Sequence, residues 1–152
     1  ISLDKSELDL SKLLMETSQN AALVFPDSKI NLHLPDSPII VQADSYRIAQ
    51  VISNLINNSI KYSNGNPIVD IYVKTTIAEI SVTVSDQGMG IKMEDRKRIF
   101  DKFYRSKVTG HIEGLGIGLF LCSDIVLRHG GQIAVMDKEG EGTDIRFTLP
   151  IE

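Results

Sequence analysis

The chain has 152 residues, the length of one domain at roughly 100–200 residues each, and enough to bury a core without disulfide or metal staples. Hydrophobic residues make up 42% of it, which excludes disorder, and sixteen Lys+Arg against twenty Asp+Glu leave a net charge of −4, so no overall basic field exists to hold nucleic acid. The single cysteine, Cys122, excludes an internal disulfide and a cysteine zinc site and favours a reducing, cytoplasmic setting.

No apolar run approaches the ~18–20 residues of a membrane span, so no direct membrane contact by this domain is expected. A chain that begins at Ile1 rather than at a methionine reads as a piece of something longer. Residues 8–24 carry Leu10, Leu13, Leu14 and Thr17 at helical spacing, with Asp9 or Ser11 available as N-cap. Two short strands follow at 29–34 and 39–42, and Asp44 caps a long helix that runs to Tyr62 and stops at the 63–67 breaker.

Residues 68–74 and 79–85 read as a strand pair, the second alternating Ile80, Val82 and Val84 with Ser81, Thr83 and Ser85. A glycine turn at 86–90 ends it. A short polar helix is expected at 93–99 and a mobile loop with few apolar anchors at 106–114. An apolar helix over 115–128 ends at Gly130-Gly131, and 132–137 and 143–149 close the chain as a hairpin around Gly140 and Gly142. Helices and strands that adjoin in sequence predict an α+β sandwich, one sheet covered on one face by three helices, and the βαβαβ rhythm of a dinucleotide fold is missing.

On the long helix, Arg47, Asn54, Asn58 and Lys61 share one stripe at about 100° per residue, beside the stripe of Ile48, Val51, Ile52, Leu55, Ser59 and Ile60 that faces the core. The polar stripe is either a solvated face or a set of amide oxygens for a hard cation next to an anion. Asparagines are mediocre helix formers, and magnesium held by few protein ligands and by phosphates fits two of them beside a lysine. Asp86, followed by Gly88 and Gly90, is either a plain Asp-Gly turn or a buried acceptor that selects an amino-bearing base edge such as adenine. The alternating glycines from Gly114 to Gly118 bare N–H groups at a helix start, a cradle for phosphate. Gly140 and Gly142 before Thr143 read foremost as a hairpin turn.

In this order and spacing the segments resemble the ATP-binding catalytic domain of bacterial sensor histidine kinases, of the GHKL or Bergerat fold. Asp44-x-x-Arg47-x-x-Gln50-Val51-Ile52-x-Asn54-Leu55-x-x-Asn58-x-x-Lys61-Tyr62-Ser63 is similar to the N box, and Asp86-x-Gly88-x-Gly90 to the first glycine box. Phe100-Asp101-Lys102-Phe103-Tyr104-Arg105 resembles the F box, Gly114-x-Gly116-x-Gly118-Leu119 the second glycine box, and Gly140-x-Gly142-Thr143 the third. The likeness covers essentially the whole chain. Departures are Ser59, where alanine is usual, and Ile117 within the second glycine box.

The resemblance implies a two-layer α/β sandwich with a mixed, mostly antiparallel sheet, and ATP and Mg2+ as cofactors. Asn58 would bind magnesium with Asn54 beside it, Lys61 would reach the phosphates, and Tyr62 would flank the base. Asp86 would accept the adenine amino hydrogen, with Gly88, Gly90 and Ile91 passing close to the base and Thr143 bordering its pocket. A lid over 105–114 would fold across the triphosphate, with Arg105 or Lys102 as an added phosphate cation and Phe103 docking it. Gly114, Leu115, Gly116, Ile117, Gly118 and Leu119 would present the phosphate cradle. Asn54, Lys61 and Arg105 are the residues to which catalysis falls.

The implied activity is that of a protein-histidine kinase acting on a partner domain. In the family the phosphoacceptor histidine lies on a separate dimerising helix pair, with a carboxylate and then a cation beside it. His33, His111 and His129 lack that context, His129 reading as a helix C-cap cation and His33 as an ordinary strand residue. The expected partners are the dimerisation and phosphotransfer domain of the same protein, upstream of residues 1–152, and a response regulator downstream, the isolated domain being monomeric. The alternatives are a hydrolysing ATPase of the gyrase, mismatch-repair or chaperone type and an ATP-dependent conformational module without kinase activity. The hydrolysing relatives carry a glutamate, as base for water, where this sequence has Asn54, and an amide cannot take that proton. Cys122 reads as core packing, Met89 and Met93 as pocket wall or hinge, and 92–98 as a solvated charged face.

Overall fold

A computed structural model of the chain describes residues 2–63, 65–104 and 118–151. Its elements run β1 (Ser6–Asp9), α1 (Leu10–Val24), β2 (Lys29–His33), β3 (Ile40–Ala43), α2 (Ser45–Lys61), β4 (Ile68–Thr75), β5 (Glu79–Asp86), α3 (Gly118–Arg128), β6 (Ile133–Met136) and β7 (Asp144–Pro150). A five-stranded sheet has the order β2-β4-β5-β7-β6, in which β2 and β4 are parallel and every other pair is antiparallel. The mixed, mostly antiparallel sheet with three helices is the α+β architecture that the sequence predicts.

Register explains the core. Ile71, Val84, Ile145 and Val135 lie in one row across the sheet, and Val73, Val82, Phe147 and Ile133 in the next. These two rows send apolar side chains to the helix layer, where Ile48, Val51, Ile52, Leu55 and Ile56 of α2 are buried. The row between them, Tyr72, Thr83 and Arg146, is polar or exposed, so a slip of one residue would turn charge into the core. Burying each of those large side chains stabilises the fold by roughly 1.5–3 kcal/mol. Among the described residues no helix is long and apolar enough to cross a membrane.

Local chemistry sets the boundaries of α1 and α2. Asp9 caps α1 by accepting from the Lys12 N–H at 3.1 Å, and Asp44 caps α2 by accepting from the Arg47 N–H at 3.2 Å. The first helix begins at Leu10, not at residue 8, because Ser6–Asp9 pair with Ile40–Ala43 in a separate two-stranded sheet. The expected helix at 93–99 is a single 3-10 turn, Met93–Asp95, followed by further turns. So short a segment makes too few bonds to nucleate an α-helix, and Asp95 instead accepts the Arg98 and Ile99 N–H groups on its backbone oxygen and the Tyr104 hydroxyl on its carboxyl. The last helix is described from Gly118 onward. The first turn expected at 115–117, the loop expected at 106–114 and His111 lie outside the described residues.

His129 differs from the expected C-cap cation. It is buried, its Nε2 accepts the Asp44 N–H at 3.0 Å, and its Nδ1 faces the Ile125 carbonyl at 2.9 Å. A backbone N–H can only donate and a carbonyl only accept, so the ring is neutral with its hydrogen on Nδ1. It fastens the end of α3 to the start of α2. His33 lies on the open sheet face, stacked on Tyr72 with ring centroids 4.4 Å apart, and its Nε2 is 2.9 Å from Asp70 Oδ1.

Candidate functional site

The polar stripe of α2 runs along the helix from the Asp44 cap to Tyr62. Arg47 lies about two turns before Asn54 and is engaged locally, its Nη1 donating to Gln50 Oε1 at 3.0 Å. Asn54 and Asn58 are half-buried on the following turns, and Lys61, the last helical residue, is exposed. Tyr62 closes the helix, its N–H donating to the Asn58 carbonyl at 3.2 Å.

Asp86 ends β5 in the middle of the sheet and is only 8% exposed. Its Oδ1 accepts two backbone N–H groups, from Gly88 at 2.9 Å and Thr143 at 3.1 Å, while its own N–H donates to the Thr143 carbonyl at 2.9 Å. Three loops distant in sequence thereby meet. A Cβ on Gly88 would stand 2.6 Å from the Tyr62 carbonyl oxygen, and one on Gly142, whose φ is +104°, would stand 1.9 Å from the Asp86 carbonyl oxygen. Gly142 is therefore part of the site's wall as well as a hairpin turn. Burial pushes the Asp86 carboxyl above its ordinary range, against the opposing pull of the Gly88 N–H, the Ser59 hydroxyl, the Thr143 N–H and the Lys138 ammonium.

A cleft of about 620 Å³ opens beside this junction, lined by Gly88, Met89, Gly90, Ile91, Lys138 and Thr143 among others. Asn54, Asn58 and Lys61 do not line this cleft. Met89 is pocket wall, as expected, whereas Met93 is largely exposed at the start of the 3-10 turn.

The F-box residues and the start of α3 form the remaining surface. Lys102 Nζ lies 5.4 Å from the Phe103 ring centroid and 5.8 Å from that of Phe120, which sets the 101–104 turn against the first turn of α3. Phe103 is exposed and holds a left-handed backbone with φ of 64°. Gly118, at the first position of α3, faces Asn54: a Cβ there would lie 4.0 Å from Asn54 Cγ. Leu119 follows, half-buried against the core. Cys122, one turn on, is buried, and burial pushes its thiol up to about 12, as befits the packing role read from sequence. Arg105, Gly114, Leu115, Gly116 and Ile117 lie outside the described residues. Among the described residues no cluster of three or more His, Cys, Asp or Glu side chains is placed to hold a metal ion.

A family model described as "Histidine kinase-, DNA gyrase B-, and HSP90-like ATPase" matches residues 43–152, from the α2 cap through β7. The chain belongs to this ATPase family. Among curated relatives of this histidine-kinase-type domain, the adaptive-response sensory kinase SasA of Thermosynechococcus vestitus is 39% identical over 153 residues, covering 95% of this chain and 39% of that protein. Sensor histidine kinase WalK of Bacillus subtilis is 38% identical over 122 residues, covering 78% of this chain and 20% of that protein. The chain thus spans well under half the length of these relatives. The solved catalytic domain of histidine kinase ThkA superposes with a TM-score of 0.84 at 27% identity, covering 97% of each chain. ThkA in complex with the response regulator TrrA gives 0.83 at 25% identity, covering 99% of this chain and 42% of that one.

Two polar groups around Asp86 escaped the sequence reading. Ser59 belongs to the core stripe of α2 and is buried there, and its hydroxyl is among the groups that pull the Asp86 carboxyl down against the effect of burial. Lys138, from the β6–β7 hairpin, donates to Ser85 Oγ at 3.3 Å and acts on Asp86 through its charge. The departure from alanine at 59 was the available signal for the first. The second follows only from the pairing of β5 with β7.

Proposed function

We propose that this domain binds Mg-ATP and delivers the γ-phosphoryl group to a histidine on a separate helical domain of the same protein. The observation that carries the reading is Asp86: a buried carboxyl whose Oδ1 already accepts two N–H groups and whose burial is incompletely offset. Such a group gains from one further donor, which the exocyclic amine of adenine supplies and the carbonyl of guanine does not. Gly88, Gly90 and Ile91 would let the chain pass along the base, with Tyr62 and Thr143 at its sides.

Asn58, with Asn54 beside it, would hold magnesium, which when bound neutralises charge on the phosphate oxygens. Lys61, Lys102 and Arg105 would act as phosphate cations, Phe103 would bear on the ligand's cover, and backbone N–H groups from Gly114 through Leu119 would complete the cradle. Transfer then breaks the bond between the γ-phosphorus and its bridging oxygen and forms a phosphorus–nitrogen bond on the acceptor imidazole, which gives up a proton as ADP leaves. Membership of the ATPase family and the likeness to histidine kinases support this reading, as does the amide at Asn54, which cannot serve as a base for water. A response regulator would take the phosphoryl group onward.

The test incubates the isolated chain with Mg2+ and labelled ATP. Binding without self-labelling and without appreciable phosphate release is expected, and adding the upstream helical domain should bring acid-labile label onto that domain's histidine. Steady phosphate release from the isolated chain would favour the ATPase alternative instead.

A further inference from the structure

We propose that Tyr104 is a positioning residue for phosphate binding: its hydroxyl, donated to the buried Asp95 carboxyl, closes the 95–104 segment into a ring and so holds Lys102 against the first turn of α3. The inference rests on the reading of Lys102 as a phosphate cation. Asp95 is 8% exposed, and the Tyr104 hydroxyl donates to its Oδ1 from nine residues further along the chain. That bond pushes the Tyr104 hydroxyl above its ordinary range, so the oxygen keeps the proton it donates.

The segment between the two partners is a succession of turns. The Arg98 N–H donates to the Asp95 carbonyl at 2.9 Å, the Asp101 N–H to the Arg98 carbonyl at 2.9 Å, and the Tyr104 N–H to the Asp101 carbonyl at 3.2 Å. Bonds in series fix each step but not the return of the last residue to the first, which the Tyr104 side chain supplies. The Arg98 guanidinium lies 4.7 Å from the Tyr104 ring centroid and steadies that return. Ile99 is buried and Phe100 packs against the core, so the ring is rooted in the domain while Lys102 stays exposed.

Phe103 shows that this return matters. Among the described residues it is the one non-glycine residue with a left-handed backbone, φ 64°, a conformation that a bulky side chain keeps only where its surroundings impose it. Both of its neighbours are tied: Tyr104 to Asp95, and Lys102 with its Nζ 5.4 Å from the Phe103 ring centroid and 5.8 Å from that of Phe120. The reversal leaves the Lys102 ammonium beside the first turn of α3, the turn whose Gly118 faces Asn54. Without the Tyr104 hydroxyl, the left-handed residue has one tie fewer, and the cation before it is less closely held.

The experiment is a double-mutant cycle read in ligand affinity for wild type, Tyr104→Phe, Lys102→Ala and the double variant, with the Kd of Mg-ADP from calorimetry and that of adenosine from NMR shift titration. Lys102→Ala should weaken Mg-ADP roughly three- to tenfold and Tyr104→Phe roughly two- to fivefold. In the Lys102→Ala background, Tyr104→Phe should cost nothing further, because the cation through which it acts is gone. Adenosine, which carries no phosphate, should bind all four proteins alike, and that binding also shows each of them folded. No loss from Tyr104→Phe, an equal loss with and without Lys102, or a loss that extends to adenosine would overturn the proposal and leave Tyr104 as part of the scaffold. If instead Lys102→Ala binds Mg-ADP as wild type does, the reading of Lys102 as a phosphate cation fails and the proposal with it, a result distinct from the others, in which Lys102 is still required.

Discussion

Asp44 and Asp86 are both buried, each sits at an end of α2's packing surface, and each accepts two backbone N–H groups, yet the protein shifts them in opposite directions. Asp44 spreads its bonds: Oδ2 accepts from the Asp4 N–H at 2.9 Å and Oδ1 from the Arg47 N–H at 3.2 Å. The Asp4 bond outweighs burial, and with the Arg47 N–H and guanidinium it holds the carboxyl below its ordinary range. Asp86 puts both backbone bonds on one oxygen, and there burial dominates. Asp44 thus has a backbone donor on each oxygen, whereas Asp86 has both on one, and the second oxygen is the one left to the adenine contact proposed above.

The comparison breaks most visibly at Asp86. Asp86→Asn places a donor where the base also donates, and the lost charge-assisted bond, worth roughly 1.5–3 kcal/mol, should weaken Mg-ADP binding about 10- to 100-fold. The ligand-free protein should be no less stable than wild type in thermal unfolding, because the substitution removes a charge that burial opposes. Unchanged affinity in calorimetry would remove Asp86 from the site.

Gly142 tests whether the loops around Asp86 are as tightly joined as their geometry implies. Gly142→Ala would set a Cβ 1.9 Å from the Asp86 carbonyl oxygen at a φ of +104°, so the third glycine loop must move away from β5. We expect a loss of about 1–3 kcal/mol of stability in urea unfolding and weakened nucleotide binding. Wild-type behaviour in both would mean that this loop yields without cost. The corresponding change at the other carboxylate is smaller: Asp44→Ala should cost about 1 kcal/mol as a lost N-cap, with nucleotide affinity of the folded protein unchanged when measured by calorimetry.

The contrast between the two aspartates also marks where sequence reasoning stops. The cap at Asp44, the core stripe of α2, the alternation in β5 and the stop at Gly130-Gly131 are local signals, and each appears in the structure where periodicity or capping chemistry put it. The pairing of β1 with β3 has no such signal, since four residues carry no period that distinguishes strand from helix start. The role of His129 has no local signal for the same reason: it depends on the Asp44 N–H, 85 residues away along the chain. Around Asp86 the residue types were legible, but the joining of Tyr62, Gly88, Gly142 and Thr143 is a property of β5 pairing with β7 and packing on α2.

The smallest effect separates the two carboxylates by pH. Asp44, with a folded value below 3.8, contributes stability that is present above 3.8 and lost as the pH falls through its folded value. Asp86, with a folded value above 3.8, acts in the opposite sense. The folded protein holds its proton more tightly than the unfolded chain does, so stability declines as the pH rises from 3.8 through the folded value. Unfolding of ligand-free wild type and Asp86→Asn should therefore differ little near pH 4 and increasingly above it, with the variant gaining relative to wild type. A bound adenine nucleotide should reverse the sense for wild type alone, since it favours the ionised carboxylate. Curves that stay parallel from pH 4 to 8, with and without nucleotide, would show that burial leaves no unspent capacity at Asp86.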